Sequence, residues 1–443
     1  MKRIFLPLLL ACLTAVGWSQ QLTPEQTGGV YYAYPVRGSH LPADAPPAQP
    51  DGELGTAGYE PFYISHYGRH GSRWLPDEAR YVWVNEQFAD DSNLTPLGRD
   101  VKHRLKKVWK NARSHAGQLT PLGAGQHRGI ARRMAERFPD VFSGDDTKIL
   151  ARSSTVPRCR ASMLAFCEEL KALPMFNARS SVFNIETDAA FMDYINYVSA
   201  EQKALEQRTK RLPMIDTHRF ISSLFKDAAK VKEPQKLLSE LHTIASDMQD
   251  IPLKVSLWDL FTYDEMLAVH DANNERMTIC NGDTLLNGGI PARSSIALWQ
   301  NIVEEADAVI AAGGHGASLR FGHDTALYRL LTLLGLSLPG KGMEDIIPMA
   351  ANLQMVFARD GEGRVMVAFL HNEQLQRLPL PDSDGFYQWQ QVKGYMADRI
   401  HRLEHLRQLA ALNTMVGTAP ANTRSAGLFG KGSEEHGQTL PAV

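Results

Sequence analysis

The sequence predicts an α/β fold, because segments with strand character alternate along the chain with helical segments. Residues 62–66 are aromatic and β-branched, and they end at glycines before a predicted helix. Residues 148–152 resemble a short buried strand, and a helix is expected to follow through Leu170. Residues 316–321 repeat this order before an apolar helix that runs through Leu336. Such alternation is typical of layered α/β architectures.

The composition is that of an ordinary globular protein. The 443 residues include 47 Lys and Arg and 49 Asp and Glu, which gives a net charge of -2 with 44% hydrophobic residues. This balance argues against a nucleic-acid surface or a polybasic membrane patch. No later segment is long and apolar enough to predict a membrane span. An anionic ligand would therefore need a local cluster of cations.

The N-terminus has the pattern of a signal peptide. Lys2 and Arg3 precede an apolar run over residues 4–13, and small residues follow at Gly17 and Ser19. We expect residues 1–19 to be removed by cleavage after Ser19, so that the protein is exported to the periplasm or secreted. A lipid-anchored form at Cys12 is the alternative, because residues 9–12 are a loose lipobox.

The cysteine content predicts neither a disulfide framework nor a metal centre. Cleavage would leave Cys159, Cys167 and Cys280, which can form at most one bridge. Cys159 and Cys167 fall on one predicted helix about 12 Å apart, which is too far to bond. No cysteine or histidine spacing is typical of a metal site. We therefore expect no metal and no cofactor.

Helix-start signals precede the first predicted helices. The sequence Pro76-Asp77-Glu78 places proline and acidic residues where a helix begins. The segments 94–98 and 119–123 both read Leu-Thr-Pro-Leu-Gly, in which threonine caps a helix and proline occupies its first turn. Helices are expected over residues 97–114 and 122–137.

The chain divides by composition into an α/β core, a helical insertion and two irregular ends. Residues 20–180 and 285–412 form the predicted core, with an irregular arm at 20–58 and a strand pair at 353–358 and 365–370. Residues 181–284 have helical spacing and few strand signals, so we expect a helical cap. The tail at 416–443 has little to bury and is expected to be disordered.

The run Tyr67-Gly68-Arg69-His70-Gly71-Ser72-Arg73 is the strongest functional signal. Arginine guanidinium groups match the oxygens of a phosphate, and a neutral imidazole between them can attack phosphorus. The run follows a strand, where α/β sheets place their ligands. It therefore predicts a phosphoryl-transfer site with His70 as the nucleophile.

Two further segments supply what this site lacks. Asp324 can protonate a leaving alkoxide as a general acid, and His323 adds a donor to the phosphate. Arg152 and Arg158 are six residues apart across a strand-to-helix turn, so one can hold the loop while the other contacts phosphate. Taken alone, each of these residues would more often be structural.

Together the motifs resemble the histidine acid phosphatase family, in the branch of phytases and multiple inositol polyphosphate phosphatases. The resemblance rests on residues 69–73, 152–158 and 322–325 and covers most of the mature chain. It implies His70 as nucleophile, Asp324 as proton donor, and a phosphate site formed by Arg69, Arg73, Arg158 and His323.

The resemblance also implies a fold and a substrate class. The expected fold is a phosphoglycerate-mutase-like core, with a mixed central sheet flanked by helices and a helical cap. The expected reaction is metal-independent hydrolysis of a small-molecule phosphomonoester, such as phytate or another inositol polyphosphate. Two features depart from the family: Pro76 falls one place late after the first motif, and the donor motif reads His-Asp-Thr rather than the His-Ala-Glu of inositol polyphosphate phosphatases.

Three alternatives remain open at this stage. A broad-specificity acid phosphatase would act on sugar phosphates or nucleotides. A phosphomutase is less favoured, since a signal peptide places the chain where phosphosugars are scarce. A non-catalytic phosphate-binding surface protein would need neither His70 nor Asp324. The sequence leaves the oligomeric state undetermined.

Overall fold

The structure is a computed structural model that describes residues 21–34, 54–143, 146–176, 181–209, 215–283, 286–336 and 347–417, with side chains to residue 408. The predicted signal peptide at 1–19 and nearly all of the predicted disordered tail lie outside these residues. No helix in the described ranges has the length and hydrophobicity needed to cross a bilayer.

A mixed sheet forms the centre of the molecule, as predicted. Its order is β3-β2-β4-β1-β5-β6-β7, with β8 beside β6. The first four strands are parallel to one another and the others are antiparallel. The strands are β1 Tyr59–Arg69, β2 Lys148–Ser153, β3 Val182–Thr187, β4 Gly316–Gly322, β5 Asn352–Asp360, β6 Val365–His371, β7 Gln374–Gln376 and β8 Tyr387–Gln388.

Helices cover the sheet and form a separate layer beside it. Thr95 and Thr120 cap α2 and α3 by accepting hydrogen bonds from the backbone of Gly98 and Gly123, as the repeated sequence predicts. The helices are α1 Glu78–Gln87, α2 Pro96–Ala112, α3 Pro121–Arg137, α4 Pro139–Phe142, α5 Pro157–Ala172, α6 Ala200–Arg208, α7 His218–Leu224, α8 Pro234–Asp247, α9 Tyr263–Asn281, α10 Ile290–Arg293, α11 Ile296–Ala311, α12 Asp324–Leu334 and α13 Trp389–Gly417.

Each face of the sheet has its own hydrophobic core. Tyr63 and Tyr67 of β1 pack into one core with α11, α12 and α13, whereas Ile64 faces the other core with α3 and α5. This alternation follows from the two-residue period of a strand. Because β1 and β4 are packed on both faces by these cores, the residues that directly follow the two strands start from fixed positions.

The helical layer differs from the expected cap in two respects. A third hydrophobic cluster joins α7, α8 and α9 to α1 and α2, which lie in the first part of the predicted core and not in the segment 181–284. β3 lies inside the segment 181–284 that we expected to be helical, and it pairs in parallel with β2. The expectation that these residues are helical is therefore wrong, because backbone pairing at the edge of the sheet determines their conformation. The division into domains stays a prediction.

Candidate active site

The two motifs that we predict to be catalytic meet because β1 and β4 are parallel neighbours. Their register pairs Arg69 with Gly322, so the residues after each strand emerge at the same edge of the sheet. The His70 backbone N–H donates to the Gly322 carbonyl at 3.0 Å, which ties the loop after β1 to the end of β4. All six predicted site residues gather at this edge.

Gly71 allows the loop after β1 to pack tightly against the start of α3. A Cβ atom at Gly71 would lie 2.5 Å from the carbonyl oxygen of Gly123, closer than real Cβ contacts permit. The φ angle of Gly71 is not in the left-handed region, so close packing is the constraint.

His70 is buried and held as a neutral imidazole. Its Nδ1 lies 3.0 Å from the Gly71 carbonyl oxygen, which can only accept, so Nδ1 carries the proton. Nε2 therefore keeps its lone pair. Burial, followed by the charges of Arg69 and Arg158, lowers the pKa of His70 well below its usual value. A neutral imidazole with one free nitrogen can act as a nucleophile.

Arg69 and Arg73 are oriented by contacts on their outer sides. Arg69 Nη1 donates to the carbonyls of Val30 and Ile347 at 2.6 and 2.7 Å. Arg73 Nη1 lies 3.4 Å from Asp247, and its guanidinium lies over the Tyr31 ring at 5.2 Å. Both side chains are almost fully buried. Such fixed guanidinium groups cost little reorganisation when an anion binds.

The two arginines around β2 have different roles in the structure. Arg152 forms ion pairs with Glu186, at 3.1 Å, and with Glu305. Arg158, in the first turn of α5, has no hydrogen-bonding partner for its guanidinium among the described residues, and it raises the local positive potential felt by His70. Arg152 thus stabilises the strand, and Arg158 is left available for an anion.

His323 and Asp324 stand opposite His70. The His323 and His70 ring centroids are 5.7 Å apart, and His323 Nε2 lies 3.3 Å from Ser154 Oγ. Burial and the charge of Arg158 lower the pKa of His323 to about 4. His323 is therefore neutral near pH 7 and can donate one hydrogen bond to a phosphate oxygen.

Asp324 is the first residue of α12, and its carboxylate is ionised in the free protein. Oδ1 accepts the Thr325 backbone N–H at 2.8 Å, and Oδ2 lies 3.2 Å from Arg69 Nη2. Burial alone would raise the pKa of Asp324, but the charge of Arg69 and the Thr325 hydrogen bond outweigh it and hold the pKa below its usual value.

Sequence reasoning missed a buried carboxyl pair beneath the loop. Ser72 Oγ donates to Asp250 Oδ1 at 2.5 Å, and the Tyr81 hydroxyl donates to Asp247 Oδ2 at 3.1 Å. Both carboxyl groups are fully buried. The Ser72 backbone N–H also donates to Gln126 at 2.9 Å, so α3 and α8 together fix the loop. No motif marks residues 247–250 as functional, and their position depends on long-range packing.

The described residues contain no group of three or more His, Cys, Asp or Glu side chains arranged to hold a metal ion. The three cysteines that we expected to remain after cleavage are all buried and free. The positive charge at the candidate site comes from arginine side chains.

Comparison with solved structures supports the fold, whereas comparison of sequences finds no match. No family model and no curated protein sequence matches the chain. The multiple inositol polyphosphate phosphatase of Bifidobacterium longum, solved with inositol hexasulfate, has a TM-score of 0.62 and 17% identity over 84% of this chain and 98% of its own.

Two phytases are also similar. The enzyme from D. castellii has a TM-score of 0.53 and 14% identity over 88% of this chain and 89% of its own. The Klebsiella sp. ASR1 enzyme has a TM-score of 0.52 and 15% identity over 78% of this chain and 97% of its own. The similarity to these three enzymes extends over most of each chain, and this protein has the histidine acid phosphatase fold.

Proposed function

We propose that the protein is a phosphomonoester hydrolase that acts through a phosphohistidine at His70. The observation that carries the proposal is a neutral imidazole whose Nε2 is free, set among Arg69, Arg73 and Arg158. Asp324 lies within ion-pair distance of Arg69, where a proton donor to the leaving group is needed. A protein that only bound phosphate would need neither the nucleophile nor the acid.

The proposed reaction has two steps. In the first, Nε2 of His70 attacks phosphorus, and the bond to the leaving oxygen breaks as protonated Asp324 transfers its proton to that oxygen. In the second, the Asp324 carboxylate accepts a proton from water, which attacks phosphorus and releases His70 and inorganic phosphate. The arginines and His323 stabilise the charge on the non-bridging oxygens in both steps.

The Gly71 carbonyl supports both steps. Nδ1–H donates to this oxygen, which orients the ring and stabilises the positive charge that forms on the imidazole when Nε2 bonds to phosphorus. The second step needs no new group, because Asp324 leaves the first step as the carboxylate that its surroundings favour.

Inositol polyphosphates are the proposed substrate class. Support comes from residues 64–68, whose sequence Ile-Ser-His-Tyr-Gly resembles the inositol polyphosphate phosphatase branch, and from fold neighbours that are named phytase and multiple inositol polyphosphate phosphatase. Broad-specificity hydrolysis of sugar phosphates or nucleotides is the second candidate, because the His-Asp-Thr sequence at 323–325 is shared by phytases and acid phosphatases and departs from the His-Ala-Glu of inositol polyphosphate phosphatases. Export through a signal peptide at 1–19 belongs to the same proposal.

A substrate panel tests the proposal. Phosphate release from inositol hexakisphosphate, p-nitrophenyl phosphate and glucose phosphate should be measured with the purified mature protein. We expect the highest kcat/KM with inositol hexakisphosphate. Higher kcat/KM with the two simple esters would move the protein to the broad acid phosphatases. Release from none of the three would reject the hydrolase.

A further inference from the structure

Ser154 is a buried hydroxyl that contacts the ring of His323. It directly follows β2, and its Oγ lies 3.3 Å from Nε2 of His323. The Ser154 backbone N–H donates to the Phe321 carbonyl at 2.9 Å, which holds this residue against the end of β4. The side chain is fully buried. The proposed reaction does not use this hydroxyl, although it contacts a side chain that we expect to bind phosphate.

Cys159 is the second neighbour of the same nitrogen, and its proton is already engaged. Its Sγ lies 3.7 Å from Nε2 of His323 and donates to the Gly322 carbonyl at 3.3 Å. Burial raises the pKa of this thiol to about 11, so the thiol keeps its proton at neutral pH. Sγ can therefore only accept from His323. Of the two neighbours, Ser154 is the one that can donate a proton to Nε2.

The other ring nitrogen of His323 faces no such partner. His323 is partly exposed and lines the same cavity as Asp324, and Nδ1 makes no hydrogen bond within the part of the chain that the structure describes. Because the pKa of His323 is lowered to about 4, the ring carries one proton at neutral pH, on either nitrogen. An ionised phosphate oxygen can only accept, so a favourable contact requires the proton on Nδ1.

We propose that Ser154 is a positioning residue that donates its hydroxyl proton to Nε2 of His323 and so places the imidazole proton on Nδ1, toward the phosphate. The inference rests on the proposed phosphatase site and adds to it a residue that does not touch the substrate. Without the hydroxyl, the neighbour of Nε2 would be Cys159 Sγ, which accepts, and the proton would favour Nε2. The ring would then turn a lone pair toward the phosphate oxygen, which is a repulsive contact.

The kinetic test compares Ser154→Ala and Ser154→Thr with the wild-type protein. The kcat/KM for inositol hexakisphosphate should fall about tenfold to a hundredfold in Ser154→Ala, the effect of losing one hydrogen bond to a charged group. Ser154→Thr keeps the hydroxyl and should recover most of this loss. Ser153→Ala is the matched control, because it removes an equally buried neighbouring hydroxyl that lies 3.1 Å from Thr187 Oγ1 instead. This control should leave kcat/KM unchanged within the error of the assay.

The position of the imidazole proton can be measured without catalysis. In protein labelled with nitrogen-15 at histidine, the ring nitrogen resonances distinguish the two tautomers, and the signal missing from His323→Gln assigns the residue. We expect Nδ1 to carry the proton in the wild type, in Ser154→Thr and in Ser153→Ala, and Nε2 to carry it in Ser154→Ala. If the wild type hydrolysed no phosphate ester, the hydrolase would fail, and this measurement would still decide the role of Ser154.

Three results would overturn the role of Ser154. The first is a wild-type His323 ring with its proton on Nε2, and the second is a Ser154→Ala variant that keeps the proton on Nδ1. The third is an equal loss of kcat/KM in Ser154→Ala and Ser153→Ala, because the hydroxyl would then support only the packing after β2. Matching thermal unfolding midpoints of the two alanine variants would show that both are folded.

Discussion

Two aspartate sites flank the arginines of the loop after β1, and their pKa values move in opposite directions. On the open side, Asp324 lies 3.2 Å from Arg69 and its pKa is held below the usual value. On the buried side, desolvation raises the pKa of Asp247 to about 7 despite the charge of Arg73, and that of Asp250 rises well above its usual value.

The difference shows how one set of arginines can support two kinds of carboxyl group. Asp324 is partly exposed and receives a hydrogen bond from the helix backbone, so its charge is stabilised. Asp247 and Asp250 are fully buried three residues apart, so each disfavours the charge of the other. The open side thus has the carboxylate that the proposed reaction uses for proton transfer, and the buried side holds the loop.

The largest effect should come from the open side at His70. His70→Ala removes the atom that attacks phosphorus and should lower kcat by about 10⁴-fold or more. Rapid quenching at alkaline pH should trap labelled phosphate on the wild-type protein and not on the variant. His66→Leu is the control, because His66 is also buried in β1 and has a pKa of about 3, but its ring packs against Phe166 and Phe321.

Two results would contradict the proposed role of His70. Absence of label on the wild-type protein would exclude the covalent intermediate. Near-normal turnover by His70→Ala, with a circular dichroism spectrum like that of the wild type, would remove His70 from the role of nucleophile.

Asp324→Asn should give the next largest effect, and its size should depend on the leaving group. An amide cannot donate an acidic proton, so kcat with inositol hexakisphosphate should fall by roughly 10²- to 10⁴-fold. The loss should be smallest with p-nitrophenyl phosphate, whose leaving group hardly needs a proton. Steady-state kinetics with both substrates is the measurement, and equal losses would show that Asp324 is not the general acid.

The pH profile should sharpen the contrast between the free and the bound state of Asp324. A bound phosphate dianion repels the carboxylate and raises its pKa, so kcat should be highest at mildly acidic pH and fall toward alkaline pH. The acid limb of kcat/KM should lie below pH 6.5, because the pKa of His70 is lowered well below its usual value. A kcat that rises steadily from pH 5 to pH 9 would contradict this account.

Asp247→Asn should change stability more than chemistry. The pKa of Asp247 is about 7 in the folded protein and near 4 in the unfolded chain, so its contribution to stability is full below pH 4 and is lost as pH rises through 7. The wild-type free energy of unfolding should therefore fall over this window by more than that of the variant. Urea unfolding at pH 5 and pH 8 measures the difference.

The exposed Asp100→Asn variant controls for the loss of one charge, since Asp100 pairs with Arg104 at the surface. We expect this control to keep the pH dependence of the wild type. If Asp247→Asn keeps the same pH dependence as well, the buried pair is not a source of it.

The smallest expected effect is that of a chelator. In the proposed reaction Arg69, Arg73 and Arg158 neutralise the charge on a bound phosphate. EDTA should therefore leave kcat unchanged within the error of the assay. Activity should be followed before and after dialysis against EDTA. Loss of activity that a divalent ion restores would mean that arginine side chains do not suffice.

Several elements could be predicted from local sequence because local interactions determine them. The caps at Thr95 and Thr120 and the strand pair β5–β6 are confirmed, since caps and hairpins depend on residues close in the chain. β3 was not predicted: its six residues include Val182, Phe183 and Ile185, but the segment is short and its neighbours have helical spacing, so its place in the sheet depends on pairing with β2. Likewise, nothing local indicates that α1 and α2 pack against α8.

The sequence by itself determined the chemistry of the candidate site: the order of residues 69–73, the His-Asp pair at 323–324, and the cations available to a phosphate. Tertiary structure decided the protonation states of the histidines and the partners of the arginines. The parallel pairing of β1 with β4 brings His70 to His323, and burial keeps both neutral. Ion pairs with Glu186 and Glu305 assign Arg152 to the fold, whereas Arg158 has no ion-pair partner within the part of the chain that the structure describes. These outcomes depend on distance and desolvation, which only the folded chain establishes.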